Sequence, residues 1–243
     1  METLTESNRL EPPAPPVPAP ANKTELLVSL RHLLRGLSAV FWGLPLALLF
    51  CIPSQITLLM RPLNILPAVI VTGVLLLGVF EMARFRPYER DWQHSLDRAR
   101  VFALLNVGLA PFIYFCDRMP NELYYRQMVW IMGAGAIFYV FNLNRSLKHL
   151  AAMLPDQTLR EDTALFTSMN LGLIVTLVSL VGIYFGLGQV NELPIEVIQF
   201  LVMLEEHRRW LVIFLILLPV AMTMTLLWKI KEIVLTGIFS GHD

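Results

Sequence analysis

Residues 63–82 read "LNILPAVIVTGVLLLGVFEM", a run in which the one charged side chain, Glu81, stands next to the end. A bilayer hydrocarbon core of about 30 Å needs roughly 20 apolar residues in a helix to cross it. Lipid offers no hydrogen-bond partners to a bare backbone, so a crossing segment is either a helix or part of a closed barrel. The run shows none of the period-2 alternation of a barrel strand. It therefore predicts a transmembrane helix, and the rest of the chain is judged against it.

Five other runs have the same character: 36–52, 101–116, 127–143, 165–187 and 210–230. The runs 101–116 and 127–143 are the short ones and could form a re-entrant hairpin. That hairpin would carry Asp117, Arg118, Glu122 and Arg126 into lipid, at roughly 2.5–3.5 kcal/mol per charge. Two separate spans cost less. The predicted fold class is thus all-α: a polytopic integral membrane protein with six transmembrane helices and short loops over residues 23–243. Composition agrees, with 16% charged and 56% hydrophobic residues and a mean hydropathy of +0.59, where soluble domains carry about a quarter charged residues. Net charge is zero, which gives no basic surface for nucleic acid.

Residues 1–22 hold six prolines between Pro12 and Pro20, a composition that predicts a disordered, extended and solvated tail. It lacks the basic start and short apolar core of a signal peptide. Residues 24–37 place Leu26, Leu27, Leu30, Leu33, Leu34 and Leu37 on one helical face, which reads as an interfacial turn leading into the first span.

Cation placement predicts orientation. Arg9, Lys23, Arg31, Arg35, Arg84, Arg86, Arg90, Arg98, Arg100, Arg145, Lys148, Arg160, Lys229 and Lys231 fall on one side of a six-span chain, and Arg61, Arg118, Arg126, Arg208 and Arg209 on the other. The richer side is expected to be cytoplasmic. Both termini are then cytoplasmic, in a cell membrane taken to be a bacterial inner membrane. On this reading "RFRPYERDWQHSLDRAR", residues 84–100, is a cytoplasmic loop. Arg84, Arg86, Arg90, Arg98 and Arg100 are read as solvated charges that anchor its topology; the alternative is a docking surface, or an anionic-lipid site of Arg84, Arg86 and Arg90 with Tyr88 and Trp92 at the headgroups. Pro87 ends the second helix. After the fourth span, Leu147, Leu150 and Leu154 continue the helix until Pro155, and Asp156 caps the fifth.

Within "DRAR", Asp97, Ala99 and Arg100 are similar to a fragment of the CDP-alcohol phosphotransferase signature. That family places a Gly after the first Asp, and a Gly and two further Asp residues downstream, to hold metal ions and a diphosphate. Here Arg98 follows Asp97, and Leu109 and Ile113 stand where the downstream Gly and the first downstream Asp belong, so the groups that would do the chemistry are missing. "GLSA" at 36–39 is similar to the serine motif of rhomboid-type peptidases, but no histidine lies in another span to act as base. The histidines lack the helical spacing of a zinc peptidase. No cofactor is expected.

Polar side chains that enter spans are Asn106, Ser168, Asn170, Thr176, Ser179, Thr223 and Thr225, and Pro45, Pro67, Pro111 and Pro219 are expected to interrupt helices. In the fifth span Ser168, Gly172, Thr176, Ser179, Gly182 and Gly186 form a small-residue stripe of the kind that lets another helix backbone approach closely. Cys51 and Cys116 end spans one and three on the same outer face, where an oxidising periplasm would permit a disulfide. No gap between spans is large enough for a soluble domain of about 50 residues. The function expected is therefore a non-enzymatic accessory or assembly subunit of a membrane complex, with the bilayer and a membrane protein or a second copy of the chain as partners. A small-solute transporter comes second, favoured by a polar cavity lined by Asn106, Asn170 and Thr176, and a membrane-embedded enzyme third.

Overall fold

A computed structural model describes residues 23–51, 65–85, 90–153, 157–187, 214 and 216–236. The helices are α1 (Lys23–Cys51), α2 (Leu66–Ala83), α3 (Arg90–Leu109), α4 (Pro111–Arg118), α5 (Leu123–Met153) and α6 (Gln157–Leu187), followed by α7 (216–236). No strand occurs among the described residues. Four stretches are long and apolar enough to cross a membrane: Val28–Cys51, Leu66–Ala83, Arg90–Arg118 and Arg160–Leu180. The run 127–143 lies inside α5, which is not one of the four; Asn142, Asn144, Arg145 and Lys148 interrupt its apolar character. The run 210–230 falls partly outside the described residues.

The long helices are tied one to another at one common end. His32 of α1 meets Glu81 of α2, Nδ1 to Oε2, at 2.6 Å. Trp92 Nε1 and Gln93 Nε2 of α3 donate to the carbonyls of Phe85 and Ala83, just after and within α2. Ser146 Oγ of α5 donates to Ser95 Oγ of α3 at 3.0 Å. Arg160 of α6 donates to Ala152 O of α5, and Lys229 Nζ of α7 reaches Asp162 Oδ2 of α6 at 2.6 Å. The contacting residues lie alternately near the starts and the ends of their helices, so the chain runs up and down from this shared end.

Several expectations are corrected here. Residues 90–100 are not a loop: they are the first half of α3, and Trp92, Ser95, Leu96 and Ala99 are buried at helical spacing. The charges Asp91, His94, Asp97 and Arg98 occupy the exposed side. Trp92 is fully buried and so does not sit at the headgroups. Pro67 starts α2 rather than interrupting it, because a helix's first turn needs no N–H from it. Pro111 does interrupt the third run, since α3 ends at Leu109 and α4 starts at Pro111, whereas Pro45 lies inside a continuous α1. Arg86, Pro87, Tyr88, Leu154, Pro155, Asp156 and the tail 1–22 lie outside the described residues. The interfacial turn expected at 24–37 belongs to α1 itself, with Leu33 and Leu37 fully buried.

The core joins Leu33, Leu37 and Val40 of α1, Val79 and Met82 of α2, Leu96 of α3, Leu143 and Leu147 of α5 and Leu226 and Ile230 of α7. The outward faces are also apolar, with Trp42, Ile70, Leu77, Val101, Leu104 and Trp130 exposed. Apolar surface on both sides of the same helices fits a lipid surround. The backbones of α1 and α2 approach closely. A Cβ on Gly36 would lie 2.7 Å from the Gly78 carbonyl oxygen, and one on Gly78 would lie 2.7 Å from Val40 Cγ2. "GLSA" thus has a packing role: Gly36 admits the neighbouring backbone.

Candidate functional site

Three buried polar side chains, Asn144, Asn170 and Thr223, converge where α5, α6 and α7 meet. Asn144 Nδ2 donates to Val140 O and to Thr223 Oγ1, both at 2.9 Å. Asn170 Nδ2 donates to Thr223 Oγ1 at 3.2 Å and to Pro219 O at 3.4 Å. Thr223 Oγ1 in turn donates to Pro219 O at 2.8 Å. The carbonyls of Val140 and Pro219 can only accept, which fixes the nitrogen of each amide on that side. Among the described residues both carboxamide oxygens are then left without a partner, on residues that are 2% and 1% exposed. Thr167 Oγ1 is also buried without one. An unpaired buried polar group costs about 1–3 kcal/mol, so three together in one place call for an explanation.

A cavity of about 360 Å³ between α5 and α6 adjoins them. Asn144, Thr167 and Asn170 line it, Arg145, Lys148 and His149 supply its cations, and Phe141, Leu171 and Ile174 supply apolar walls. Helical spacing accounts for the wall: Asn144 and Lys148, Arg145 and His149, and Thr167 and Leu171 are each four residues apart, hence neighbours on one face. Among the described residues none of Arg145, Lys148 and His149 has a carboxylate partner. Near the same end Arg84 pairs with Glu81, Arg100 with Asp97 and Lys229 with Asp162.

The three residues expected to line a transporter's cavity are dispersed. Asn170 lies at the cavity found here. Asn106 packs against Gly135, where an added Cβ would meet its Oδ1 at 2.6 Å, and Thr176 is exposed with its hydroxyl on Gly172 O. Every member of the small-residue stripe, Ser168, Gly172, Thr176, Ser179, Gly182 and Gly186, is exposed on α6. A Cβ at Gly172, Gly182 or Gly186 would meet nothing within 4 Å, so the stripe is not used inside the chain's described bundle. Of the arginines in 84–100, Arg84, Arg90 and Arg98 are exposed, and Arg100 is partly buried over the Phe80 ring. Cys51 and Cys116 are free thiols. Among the described residues no three His, Cys, Asp or Glu side chains gather to hold a metal ion.

Asn144, Arg145, Lys148, His149 and Thr167 carry the site without having been singled out for it from the sequence. The four-residue spacing on α5 was visible; the burial of Asn144 beside Thr223, 79 positions away, was not. No family, curated protein or solved structure matches this chain.

Proposed function

We propose that the chain is a six-span membrane protein with both termini cytoplasmic, in a bacterial inner membrane, and that it serves as a non-enzymatic accessory or assembly subunit of a membrane complex. The observation that carries this reading is the outward stripe on α6. Gly172, Gly182 and Gly186 leave open space on a helix whose opposite face buries Thr163, Asn170 and Leu177. Small residues along one face lower the cost of close backbone approach, and in lipid such packing contributes much of helix association. The partner is a membrane protein or a second copy of the chain. The shared end, rich in cations, supports the cytoplasmic assignment.

The test is the mass of the purified complex in mild detergent. The wild-type chain is expected in stoichiometric association with itself or with one partner, and Gly182→Leu and Gly186→Leu are expected to release it. A wild-type monomer with no stoichiometric companion, unchanged by either substitution, counts against the subunit reading. The transporter is the second reading, and the cavity between α5 and α6 favours it. Solute flux into liposomes containing the purified chain would support that reading, provided Asn170→Leu removes the flux.

A further inference from the structure

The cavity between α5 and α6 combines three features that a structural polar node does not need: unpaired cations, unpaired acceptors and an apolar wall. Arg145 and Lys148 favour a negatively charged group, and among the described residues no carboxylate neutralises them. The buried carboxamide oxygens of Asn144 and Asn170 require hydrogen-bond donors, and the Thr167 hydroxyl beside them can donate or accept. Phe141, Leu171 and Ile174 accept hydrocarbon. An inorganic anion satisfies only the first demand. Basic pockets between membrane helices on the cytoplasmic side suit anionic headgroups, and a headgroup with its own hydroxyls also supplies donors.

We infer that this cavity binds a phosphate ester bearing hydroxyl groups, its phosphate on Arg145 and Lys148 and its hydroxyls on Asn144, Asn170 and Thr167. The chemistry is that of a glycerol-phosphate headgroup, whether carried by a membrane lipid or free in solution. The inference goes beyond the subunit reading and is separable from it, since it concerns the inner wall of α6 and not the outer stripe.

The experiment uses the full chain in nanodiscs and in lipid-free detergent. In one arm, native mass spectrometry compares retained phosphatidylglycerol with phosphatidylcholine, which lacks net charge and hydroxyl donors. In the other, glycerol 3-phosphate is titrated against the delipidated protein. Preferential retention of phosphatidylglycerol is expected, weakened about tenfold by the combined Arg145→Gln and Lys148→Gln substitutions and unaffected by Lys231→Gln. Thr167→Val tests the buried hydroxyl without removing bulk: thermal stability of the lipid-free protein should hold or rise, while retention should fall several-fold. Saturable binding of glycerol 3-phosphate with the same dependence on Arg145 and Lys148 supports the site and assigns its ligand to solution. Equal retention of both lipids together with no glycerol 3-phosphate binding overturns the proposal, as does a phosphatidylglycerol preference that the Arg145, Lys148 and Thr167 variants leave unchanged. A loss of oligomer in the α6 stripe variants leaves these outcomes readable, because retention is measured per chain.

Discussion

At the scale of single residues, two sets of glycines with the same sequence appearance have opposite surroundings. Gly36 and Gly78 stand where α1 and α2 touch, and an added Cβ at either lies within 2.7 Å of a neighbouring atom. For Gly36 two of the three nearest atoms are backbone, Gly78 O and Met82 N, so the neighbour cannot rotate out of the way. Overpacking of this kind costs about 1–3 kcal/mol or more. Gly36→Leu is therefore expected to lower the thermal stability of the monomeric protein in detergent. Gly182→Leu is expected to leave that stability unchanged while weakening association, since its surroundings are open. Equal stability of Gly36→Leu and wild type would show that α1 and α2 do not approach as described. The GxxxG spacing at Gly182 and Gly186 was plain in the sequence. The tight contact at Gly36 was not, because its partner Gly78 lies on another helix and only the packed bundle brings them together.

At the scale of elements, α3 changes the meaning of the charged stretch 84–100. Trp92, Leu96 and Ala99 are all fully buried, and Trp92 Nε1 donates to Phe85 O at 3.1 Å. A segment held this way resists proteases, which need several residues of extended backbone. In the proposed orientation, trypsin added to the cytoplasmic face of native membranes is expected not to cut after Arg98 or Arg100, and prompt cleavage at either would restore the loop reading. The helix was legible in principle: 92, 95, 96, 99, 103 and 106 are the buried positions, and their spacing is that of a helical face. Charge density hid it, since Asp91, His94, Asp97 and Arg98 occupy the positions between. The long apolar helices were legible for the reason that makes membrane segments generally so: length and hydropathy suffice, without knowledge of packing. The cavity between α5 and α6 was not, because it depends on which faces of two helices meet and on Thr223, which is 53 positions from Asn170.

At the scale of the whole molecule, the links from His32 to Glu81, Ser95 to Ser146 and Asp162 to Lys229 bring the alternating helix ends together. The same end carries Arg31, Arg35, Arg84, Arg90, Arg98 and Arg145, whereas Arg118 at the end of α4 and Arg126 in the first turn of α5 lie at the other. This asymmetry is what orients a polytopic chain. In the proposed topology α5 crosses the membrane although Asn142, Asn144 and Arg145 interrupt its apolar run, and α7 returns the chain to the cytoplasm. Topology reporters fused after Glu122, Thr158, Glu192 and Asp243 in the full chain test both crossings at once. Six spans predict an outside signal at Glu122 and Glu192 and a cytoplasmic signal at Thr158 and Asp243. A cytoplasmic signal at Glu122 would contradict them, since α3 with α4 and α5 would then enter and leave by the same face.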